Sequence, residues 1–224
     1  MLEQGAQQVN AAVPDFSADL YREVTDFAAT TPGWVHAVAG VVTQGILLVF
    51  AAAFVAAWWR ARRSTARTMA LALLVPVIVV AAYAVNEVIK ALVQEERPCR
   101  AVARIARPLV ACPDPGDWSF PSNHSVIAGA AAVTLVIAWR QVAMSVLLPC
   151  VALLEGFSRV FVGAHYPHDV LVGLMIGAFA AALLALAALG LATRFVESLR
   201  ERPALRPVLQ AEDSEPGPLT GARR

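Results

Sequence analysis

Residues 27–59 read FAATTPGWVHAVAGVVTQGILLVFAAAFVAAWW and contain no Asp, Glu, Lys or Arg. Three more stretches share this lack of charge, namely Thr68–Asn86, Trp118–Trp139 and Val170–Thr193. A helix that crosses a hydrocarbon core about 30 Å thick needs about 20 apolar residues. A fifth apolar stretch, residues 144–162, is interrupted by Glu155 and Arg159. The sequence therefore predicts five transmembrane helices, over residues 35–59, 69–93, 122–140, 144–163 and 168–193.

The composition agrees with a membrane protein. Of the 224 residues, 58% are hydrophobic and 16% are charged, whereas soluble domains have about 25% charged residues. The formal net charge is +1, so there is no overall basic field that would attract nucleic acid. We expect one membrane-embedded domain over residues 1–202. Residues 203–224, rich in Pro, Gly and charge, are expected to form a disordered cytoplasmic tail.

The segment before the first span has a different pattern. Phe16, Leu20, Val24 and Phe27 recur at helical spacing, and charged residues occupy the other faces. This pattern indicates an N-terminal amphipathic helix at the membrane surface, with a soluble tail as the alternative. The predicted fold class is all-α, a polytopic membrane helical bundle of five spans plus this interfacial helix.

The positions of the arginines predict the orientation of the spans. Arginines cluster at residues 60–67, at residue 140 and at residues 194–202. If these clusters lie in the cytoplasm, the N-terminus is outside and the C-terminus is cytoplasmic. The loop of residues 95–120 then lies outside, although it carries Arg97, Arg100, Arg104 and Arg107. Phosphate binding would explain this exception, and a solvated basic loop near anionic lipid is the alternative.

With this topology, polar residues from four segments reach the outer end of the bundle. Ionisable groups inside spans are costly and by default mark function. The set comprises Lys90, Arg97, Ser122, Asn123, His124, Arg159, His165 and Asp169. Lys90 and Arg97 are seven residues apart, so they share a helix face if the second helix continues that far.

The cations and the serine suit phosphate binding. Lys90, Arg97 and Arg159 offer three positive charges to one phosphoryl group, with arginine able to bind phosphate oxygens in pairs. Ser122 is positioned to cap the third span. The free N–H groups at a helix N-terminus bind anions.

The histidines suit phosphoryl transfer. His165 and Asp169 are four residues apart, so the carboxylate can orient the imidazole as a nucleophile. His124, from another span, can protonate the leaving group and later activate water. Alternatively, His124, His165 and Asp169 can bind a metal ion such as zinc, which the three nearby cations oppose.

Other polar residues are interpreted as structural. They are His36, His168 and Glu155, the last as a charge partner or helix contact. For Lys90 and Arg159 the alternative to phosphate binding is an intramembrane ion pair, with Glu87 and Glu155 respectively. Gly173 and Gly177 have the spacing of close helix contacts, and we favour packing within one chain over a dimer face. The oligomeric state is not otherwise indicated.

The polar residues form three motifs in a recognisable order. They are Lys90-x6-Arg97-Pro98, then Pro121-Ser122-Asn123-His124, then Ser158-Arg159-x5-His165-x3-Asp169. Together they resemble the three-part signature of the type 2 phosphatidate phosphatase superfamily, over roughly residues 90–169. The resemblance implies a helical bundle and a metal-independent phosphatase that needs no cofactor.

The resemblance also implies roles for individual residues. His165 would be the nucleophile, Asp169 its partner and His124 the acid and base. Phosphate would be bound by Lys90, Arg97, Ser122, Arg159 and a backbone N–H of Asn123. The chain departs from the signature at Asn123, where the family usually has glycine, and at Cys99, where an aromatic residue commonly follows the Arg-Pro pair.

Within the superfamily, the chain is most similar to bacterial undecaprenyl-diphosphate phosphatases. This likeness lies in the helix before five spans and in the stretches Ser119–Ser122 and Ala164–Asp169. It implies a polyprenyl diphosphate in the outer leaflet of the bacterial plasma membrane, whose terminal phosphate is removed to recycle the carrier for cell-wall synthesis. The lipid tail would pass between spans near the small residues 129–131.

Two other functions remain open from the sequence. One is phosphatidylglycerophosphate or phosphatidate phosphatase activity, and the other, from a different class, is a lipid transporter or a non-catalytic lipid-binding protein. Cys99 and Cys112 bracket the outer loop, and a disulfide between them is expected if this loop faces an oxidising compartment.

Overall fold

The apolar stretches are helices in a computed structural model of the chain, which describes residues 13–103 and 107–211. In chain order the helices are α1 (Asp15–Thr30), α2 (Gly33–Ala61), α3 (Ala66–Val93), α4 (Pro98–Ala101), α5 (Asn123–Trp139), α6 (Val142–Phe161), α7 (Pro167–Arg200) and α8 (Arg206–Leu209). A 3-10 turn, Pro203–Leu205, precedes α8. These two ranges contain no strand, so the predicted all-α class is confirmed.

The long helices coincide with the predicted spans. Four of them, α2, α3, α6 and α7, are long and apolar enough to cross a membrane. The fifth, α5, is apolar but has 17 residues, which is about 25 Å of helix at 1.5 Å per residue. The chain is therefore a bundle of membrane helices, and the count of five spans remains a prediction because α5 is short.

Contacts between helix ends define one end of the bundle, called the upper end below. Asn86, near the end of α3, donates to the carbonyl of Pro121 just before α5, at 3.2 Å. Arg159, near the end of α6, donates to Thr43 in the first half of α2, at 2.8 Å. The segments of residues 94–122 and 162–166 connect helices at this end. All the polar residues singled out for chemistry lie here.

Helix α5 packs at the centre of the bundle, most extensively against α7 and then against α3 and α6. The contact with α7 depends on glycine. A Cβ at Gly173 would lie 2.8 Å from the carbonyl oxygen of Ser122, and one at Gly177 would lie even closer to that of Val126. Real Cβ atoms do not come that close. The two glycines therefore serve packing within the chain, as predicted.

Replacing Gly177 by alanine is expected to destabilise the bundle. The new methyl group would force α5 and α7 apart, and overpacking of this kind costs about 1–3 kcal/mol. Gly190→Ala, in the same helix, is the matched control, because a Cβ there has no neighbour within 4 Å and alanine favours helix. Thermal unfolding in detergent should show a lower midpoint for Gly177→Ala alone. Equal midpoints for the two variants would contradict the packing described.

The predicted amphipathic helix is α1, which packs on α6 and α7. The side chains that it buries are Ser17, Tyr21, Thr25 and Ala28. Phe16 and Phe27 from the apolar pattern are exposed instead, at 67% and 62%. The apolar side therefore faces away from the bundle, as expected of a helix lying in a membrane surface.

At the opposite end of the bundle, called the lower end, part of the predicted tail contacts the end of α2. Trp58 donates from Nε1 to the carbonyl of Val208 at 3.2 Å, and the N–H of Ala211 donates to the carbonyl of Arg62 at 2.8 Å. Leu209 is buried. The structure differs here from the expected disordered tail, because an apolar side chain in residues 203–211 anchors the segment to the bundle. Residues 212–224 lie outside the described ranges.

Candidate active site

An imidazole and a carboxylate form the centre of the candidate site. His165 lies in the short connection before α7, and Asp169 lies in the first turn of α7. Nδ1 of His165 is 3.2 Å from Oδ2 of Asp169. The same carboxylate oxygen accepts hydrogen bonds from the N–H of Tyr166, at 3.0 Å, and from the hydroxyl of Ser119. The carboxylate is held by three donors and in turn orients the ring.

The neighbours of His165 determine its tautomer. Nη1 of Arg97 lies 3.0 Å from Nε2 of His165. A guanidinium can only donate, so Nε2 must accept and carries no proton. The ring proton is therefore on Nδ1 and is donated to Asp169. The lone pair of Nε2 faces the cationic side of the site.

Burial keeps His165 neutral. The ring is 2% exposed, and loss of solvation lowers the pKa of His165 to about 3, although Asp169 acts in the opposite direction. A depressed pKa means that the neutral form is present at every pH well above that value. The unprotonated nitrogen is thus available throughout the neutral range.

NMR can test this ionisation state. With ¹⁵N-histidine labelling, the ring nitrogens of His165 should show no titration between pH 5 and pH 8, because the lowered pKa lies beneath that range. Comparison with the variant His165→Asn assigns the signals. A midpoint near the ordinary value of about 6.5 would contradict the buried, neutral ring.

Arg97 lies beside the imidazole, and Lys90 is linked to Arg97 through Asp117. Arg97 is buried and donates to the carbonyl of Ala164 as well as to His165. Its other nitrogens bond to Asp117, and Nζ of Lys90 lies 3.6 Å from the carboxylate of Asp117. The two cations thus meet at the carboxylate of Asp117, and Arg97 also reaches the nucleophile candidate.

Lys90 and Arg97 do not share a helix face. Helix α3 ends at Val93, and Gln94 adopts the left-handed conformation at φ 53°. Arg97 precedes a proline and is extended, at ψ 141°, because the ring of Pro98 disfavours helix at the residue before it. The chain turns back over the end of α3, and this turn brings the guanidinium to the lysine.

The third cation is Arg159, in α6. Its Nη1 donates to the hydroxyl of Thr43 at 2.8 Å, and it is only 8% exposed. The expected ion pair with Glu155 is not among the ion pairs of the described residues. Glu155 is fully buried and lies one turn away on the same helix, with its charge acting on Arg159 from a distance. The guanidinium is held by α2 instead.

The start of α5 contributes donors. Ser122 is the N-cap residue, but its side chain makes no capping bond, which differs from the expected cap. Within the described ranges its buried Oγ has no hydrogen-bond partner. The side chain of Asn123 points to α3, where it bonds to Asn86 at 2.6 Å and to Glu87 at 2.7 Å. The hydroxyl and the first N–H groups of α5 remain available to an anion.

The second imidazole lies on the first turn of α5. His124 donates from Nε2 to Oε1 of Gln44 in α2, at 3.4 Å. The charges of Arg159, Arg97 and Lys90 all act on this ring, and the first two also act on His165. Both imidazoles therefore lie at the upper end, among the same cations.

The histidines interpreted as structural have structural contacts. His36 donates to the carbonyl of Ala28 at 2.9 Å and so joins α2 to α1. His168 bonds through Nε2 to Glu95 at 3.1 Å and through Nδ1 to Ser17 at 2.7 Å. Lys90 pairs with Asp117 rather than with Glu87.

Helix α1 supports the connection that carries His165. The hydroxyl of Tyr21 donates to the carbonyl of Gly163 at 3.0 Å, and the rings of Tyr21 and Tyr166 are 5.6 Å apart. Tyr21 is fully buried, and burial raises the pKa of its hydroxyl above the ordinary value. Helix α1 thus contacts residues before and after His165.

The loop of residues 95–120 is held by covalent and polar contacts. Cys99 and Cys112 form a disulfide. Arg100 bonds to Glu96 at 2.6 Å and to the carbonyl of Pro113, so its side chain serves the loop. Arg107 is exposed, and Arg104 lies outside the described ranges.

Two sets of these polar residues are candidate ligands for a metal ion. In the described part of the chain, Glu95, His168 and Asp169 offer ligand atoms within 4.8 Å of one another. The set predicted as an alternative, His124, His165 and Asp169, fits a metal ion poorly. Nε2 of His165 faces the guanidinium of Arg97, so a metal ion bound there would have to lie against a positive charge.

Sequence reasoning missed three residues of the site: Thr43, Asp117 and Ser119. A signal existed for Thr43, because Thr43 and Gln44 are adjacent polar residues inside an otherwise apolar span. Ser119 and Asp117 lie in a loop of irregular structure, where no periodicity shows which way a side chain points. Their partners lie 20 or more residues away.

The fold and this geometry define a membrane-embedded site that combines an oriented imidazole with several cations and free helix donors. The chain belongs to the PAP2 superfamily, whose sequence model matches residues 71–191. The matched region includes every residue predicted for the site.

Curated relatives are similar over part of their length. An undecaprenyl-diphosphatase of Sulfolobus acidocaldarius is 40% identical over 30% of this chain and 32% of its own. An undecaprenyl-diphosphatase of Bacillus subtilis is 37% identical over 43% and 47%. A decaprenylphosphoryl-5-phosphoribose phosphatase of Mycobacterium tuberculosis is 38% identical over 46% and 53%. The matches span about a third to a half of the relatives they concern.

A solved structure shares the fold. The crystal structure of a transmembrane PAP2-type phosphatidylglycerolphosphate phosphatase from Bacillus subtilis superposes with a TM-score of 0.58 and 22% identity. The match covers 87% of this chain and 92% of that one. This likeness supports the architecture of the bundle.

Proposed function

We propose that the chain is an integral membrane lipid phosphatase that removes the terminal phosphate of a polyprenyl diphosphate of undecaprenyl type through a phosphohistidine intermediate. One observation carries the proposal. The unprotonated Nε2 of His165 lies 3.0 Å from the guanidinium of Arg97, while Nδ1 is bonded to Asp169. A nucleophilic nitrogen beside a cation is the arrangement that attack on a phosphoryl group requires.

In the proposed complex, the terminal phosphoryl group lies between His165 and the cations. Lys90, Arg97 and Arg159 neutralise its oxygens. The hydroxyl of Ser122 and the N–H of Asn123 at the start of α5 donate to the same oxygens. The buried and unpartnered Oγ of Ser122 supports this role among the described residues.

The first chemical step forms a nitrogen–phosphorus bond. The lone pair of His165 Nε2 attacks phosphorus, and the bond to the bridging oxygen breaks. His124 gives a proton to that oxygen, so the prenyl monophosphate leaves. Asp169 accepts the hydrogen bond of Nδ1–H and stabilises the positive charge that the ring acquires.

The second step restores the enzyme. His124, now without its proton, takes one from water as the water oxygen attacks phosphorus. The nitrogen–phosphorus bond breaks, its electron pair returns to Nε2 of His165, and inorganic phosphate is released. The reaction is balanced without a metal ion or cofactor, and we propose that none is needed.

The polyprenyl substrate is supported by two observations. Three of the relatives act, by their names, on polyprenyl-linked phosphates. An apolar cavity of about 210 Å³ lies between α2, α3 and α5 and is lined by Leu47, Phe54, Val79 and Ile127. Leu47 is one turn below Gln44, the partner of His124. We propose this cavity as the path of the lipid tail.

The packing of α5 argues against the path of the lipid tail that the sequence suggested near residues 129–131. The small residues 129–131 are all buried. A Cβ at Gly129 would collide with the backbone of Leu174. Gly129 and Ala130 therefore lie where α5 and α7 approach each other and leave no room for a tail. Only Ala131 lines the proposed cavity.

The orientation in the membrane remains part of the proposal. We propose that the upper end faces the outside of the bacterial plasma membrane and that the C-terminus is cytoplasmic. The exposed apolar side of α1 at this end supports a position at a membrane surface. The arginines near residues 60–67 then lie in the cytoplasm.

Phosphate release from the purified chain in detergent tests the function. We expect kcat/KM for undecaprenyl diphosphate to exceed that for phosphatidate, phosphatidylglycerophosphate and lipid A by at least about tenfold, or 1.4 kcal/mol. Activity should persist in EDTA. A reversed preference would contradict the substrate. Loss of activity in EDTA that a divalent ion restores would favour the metal alternative, and no hydrolysis of any of these lipids would favour a transporter or binding protein.

A further inference from the structure

A carboxylate of the chain already binds two of the phosphate-binding candidates. Oδ1 of Asp117 lies 2.8 Å from Nη2 of Arg97 and 3.6 Å from Nζ of Lys90. Nε of Arg97 donates to the backbone carbonyl of the same residue at 3.0 Å. A carboxylate and a phosphate present similar oxygens to a guanidinium, and arginine binds both. Asp117 therefore uses the contacts that a phosphoryl group would use.

The loop that carries Asp117 is held at both ends but open in the middle. The disulfide between Cys99 and Cys112 holds the segment that leads into it, and the N–H of Ser119 donates to the carbonyl of Glu95 at 2.7 Å after it. Between these points, Gly116 has a φ of +93°, a conformation that favours glycine. The side chain of Asp117 is 48% exposed, so it can rotate into solvent without moving the anchors.

We propose that Asp117 is an internal competitor for the phosphate subsite. A phosphoryl group displaces the carboxylate from Lys90 and Arg97, and the returning carboxylate helps to expel inorganic phosphate after hydrolysis. This inference rests on the proposed function, since it assigns these cations to phosphate.

The charge of Asp117 is present at neutral pH. Burial acts to raise the pKa of its carboxyl, but the hydrogen bond and the charge of Arg97, together with Lys90, outweigh it and hold the pKa below the ordinary value. The residue is therefore an anion at neutral pH, where the substrate is one too. The backbone bond from Arg97 to the carbonyl of residue 117 does not depend on the side chain, so it can hold the arginine during the exchange.

A competing role and a purely structural role of Asp117 predict opposite effects on phosphate binding when the carboxylate is removed. If the carboxylate merely positions Lys90 and Arg97, its loss should weaken phosphate binding. If the carboxylate competes, its loss should tighten binding, because the anion no longer has to replace an existing ion pair. Asp117→Asn keeps the size of the side chain and removes its charge.

The test is calorimetric binding of inorganic phosphate and of orthovanadate to the full chain in detergent. We expect Asp117→Asn to bind both anions about five- to tenfold more tightly than the wild type, as removal of one competing charge at this distance permits. Asp117→Glu, which keeps the charge, should bind within about twofold of the wild type. Asp114→Asn removes the same charge from the same loop and is the matched control, because Asp114 is not among the ion-pair partners of the two cations in the described ranges.

Each outcome decides the proposal. Tighter binding in Asp117→Asn alone supports it. Equal or weaker binding, equal tightening in Asp114→Asn, or no phosphate binding by any variant would overturn it. Thermal unfolding of each variant confirms that it is folded. Because no lipid is hydrolysed in this experiment, its result is separate from the assay of the proposed function. If the chain is a phosphatase, Asp117→Asn should also show a lower inhibition constant for product phosphate.

Discussion

His165→Ala is expected to lower kcat by on the order of 10⁴-fold or more, as loss of a covalent nucleophile does in other hydrolases. The variant removes the nitrogen that would bond to phosphorus, and no other imidazole has both an oriented Nδ1 and a cation at Nε2 among the described residues. Phosphate release from undecaprenyl diphosphate under single-turnover conditions measures the loss directly.

A second histidine variant separates loss of chemistry from loss of folding. His36→Ala removes an imidazole that bonds to the carbonyl of Ala28 and not to the site, so its kcat should stay within about threefold of the wild type. Thermal unfolding should report folded protein for both variants. Undiminished turnover by folded His165→Ala would refute the assignment of the nucleophile.

His124→Ala is expected to lower kcat by about 10²- to 10⁴-fold, the range that general acid–base catalysis supplies. The proposed role of His124 is to protonate the leaving oxygen and then to deprotonate water. Without it both steps slow, and the second slows for every substrate. We therefore expect the phosphoenzyme to accumulate when the leaving group needs no proton.

An aryl phosphate whose phenol is acidic has a leaving group that needs no proton. With this substrate, His124→Ala should release the phenol in a burst close to one equivalent per chain, followed by slow turnover, because the first step no longer depends on the acid. The wild type, whose second step keeps its base, should show a smaller burst. An equal loss in both steps with no burst would contradict the double role of His124.

The architecture follows from features that are local in the sequence. Each predicted span corresponds to a helix because about 20 predominantly apolar residues suffice to cross a membrane, and this pattern can be read without knowing distant contacts. The amphipathic segment likewise became α1, which is flanked by the cap residues Pro14 and Thr31. The glycine pair in α7 was recognised from spacing alone, since only small residues allow helices to approach so closely.

The sequence predicted which residues form the candidate site, but not which partners their side chains contact. The motif residues do meet at the upper end, but their partners differ from those that spacing indicates. Helix α3 ends at Val93 as the predicted span does, but the turn after it was not foreseen, because the left-handed Gln94 gives no sequence signal comparable to glycine. Arg159 bonds to Thr43 rather than pairing with Glu155, since a neighbouring helix offers a better-placed acceptor than the residue one turn away.

Loop residues were the hardest to foresee. Asp117 and Ser119 are close in sequence, yet Asp117 contacts Arg97 and Ser119 contacts Asp169. Neither pairing has a periodic pattern, because the path of a loop is set by its anchors. The contact of Tyr21 with Gly163 spans 142 residues and depends on where α1 docks.

Peptide mapping of the phosphoenzyme tests most directly whether phosphorus bonds to Nε2 of His165. His124→Ala, mixed with the aryl phosphate and quenched in alkali, is digested with trypsin. Cleavage separates His165, in the peptide of residues 160–194, from position 124, in the peptide of residues 105–140. Fragmentation then distinguishes His165 from His168. We predict one phosphoryl group, on His165; a phosphoryl group on His168, or none on any histidine while phenol is released, would contradict the account.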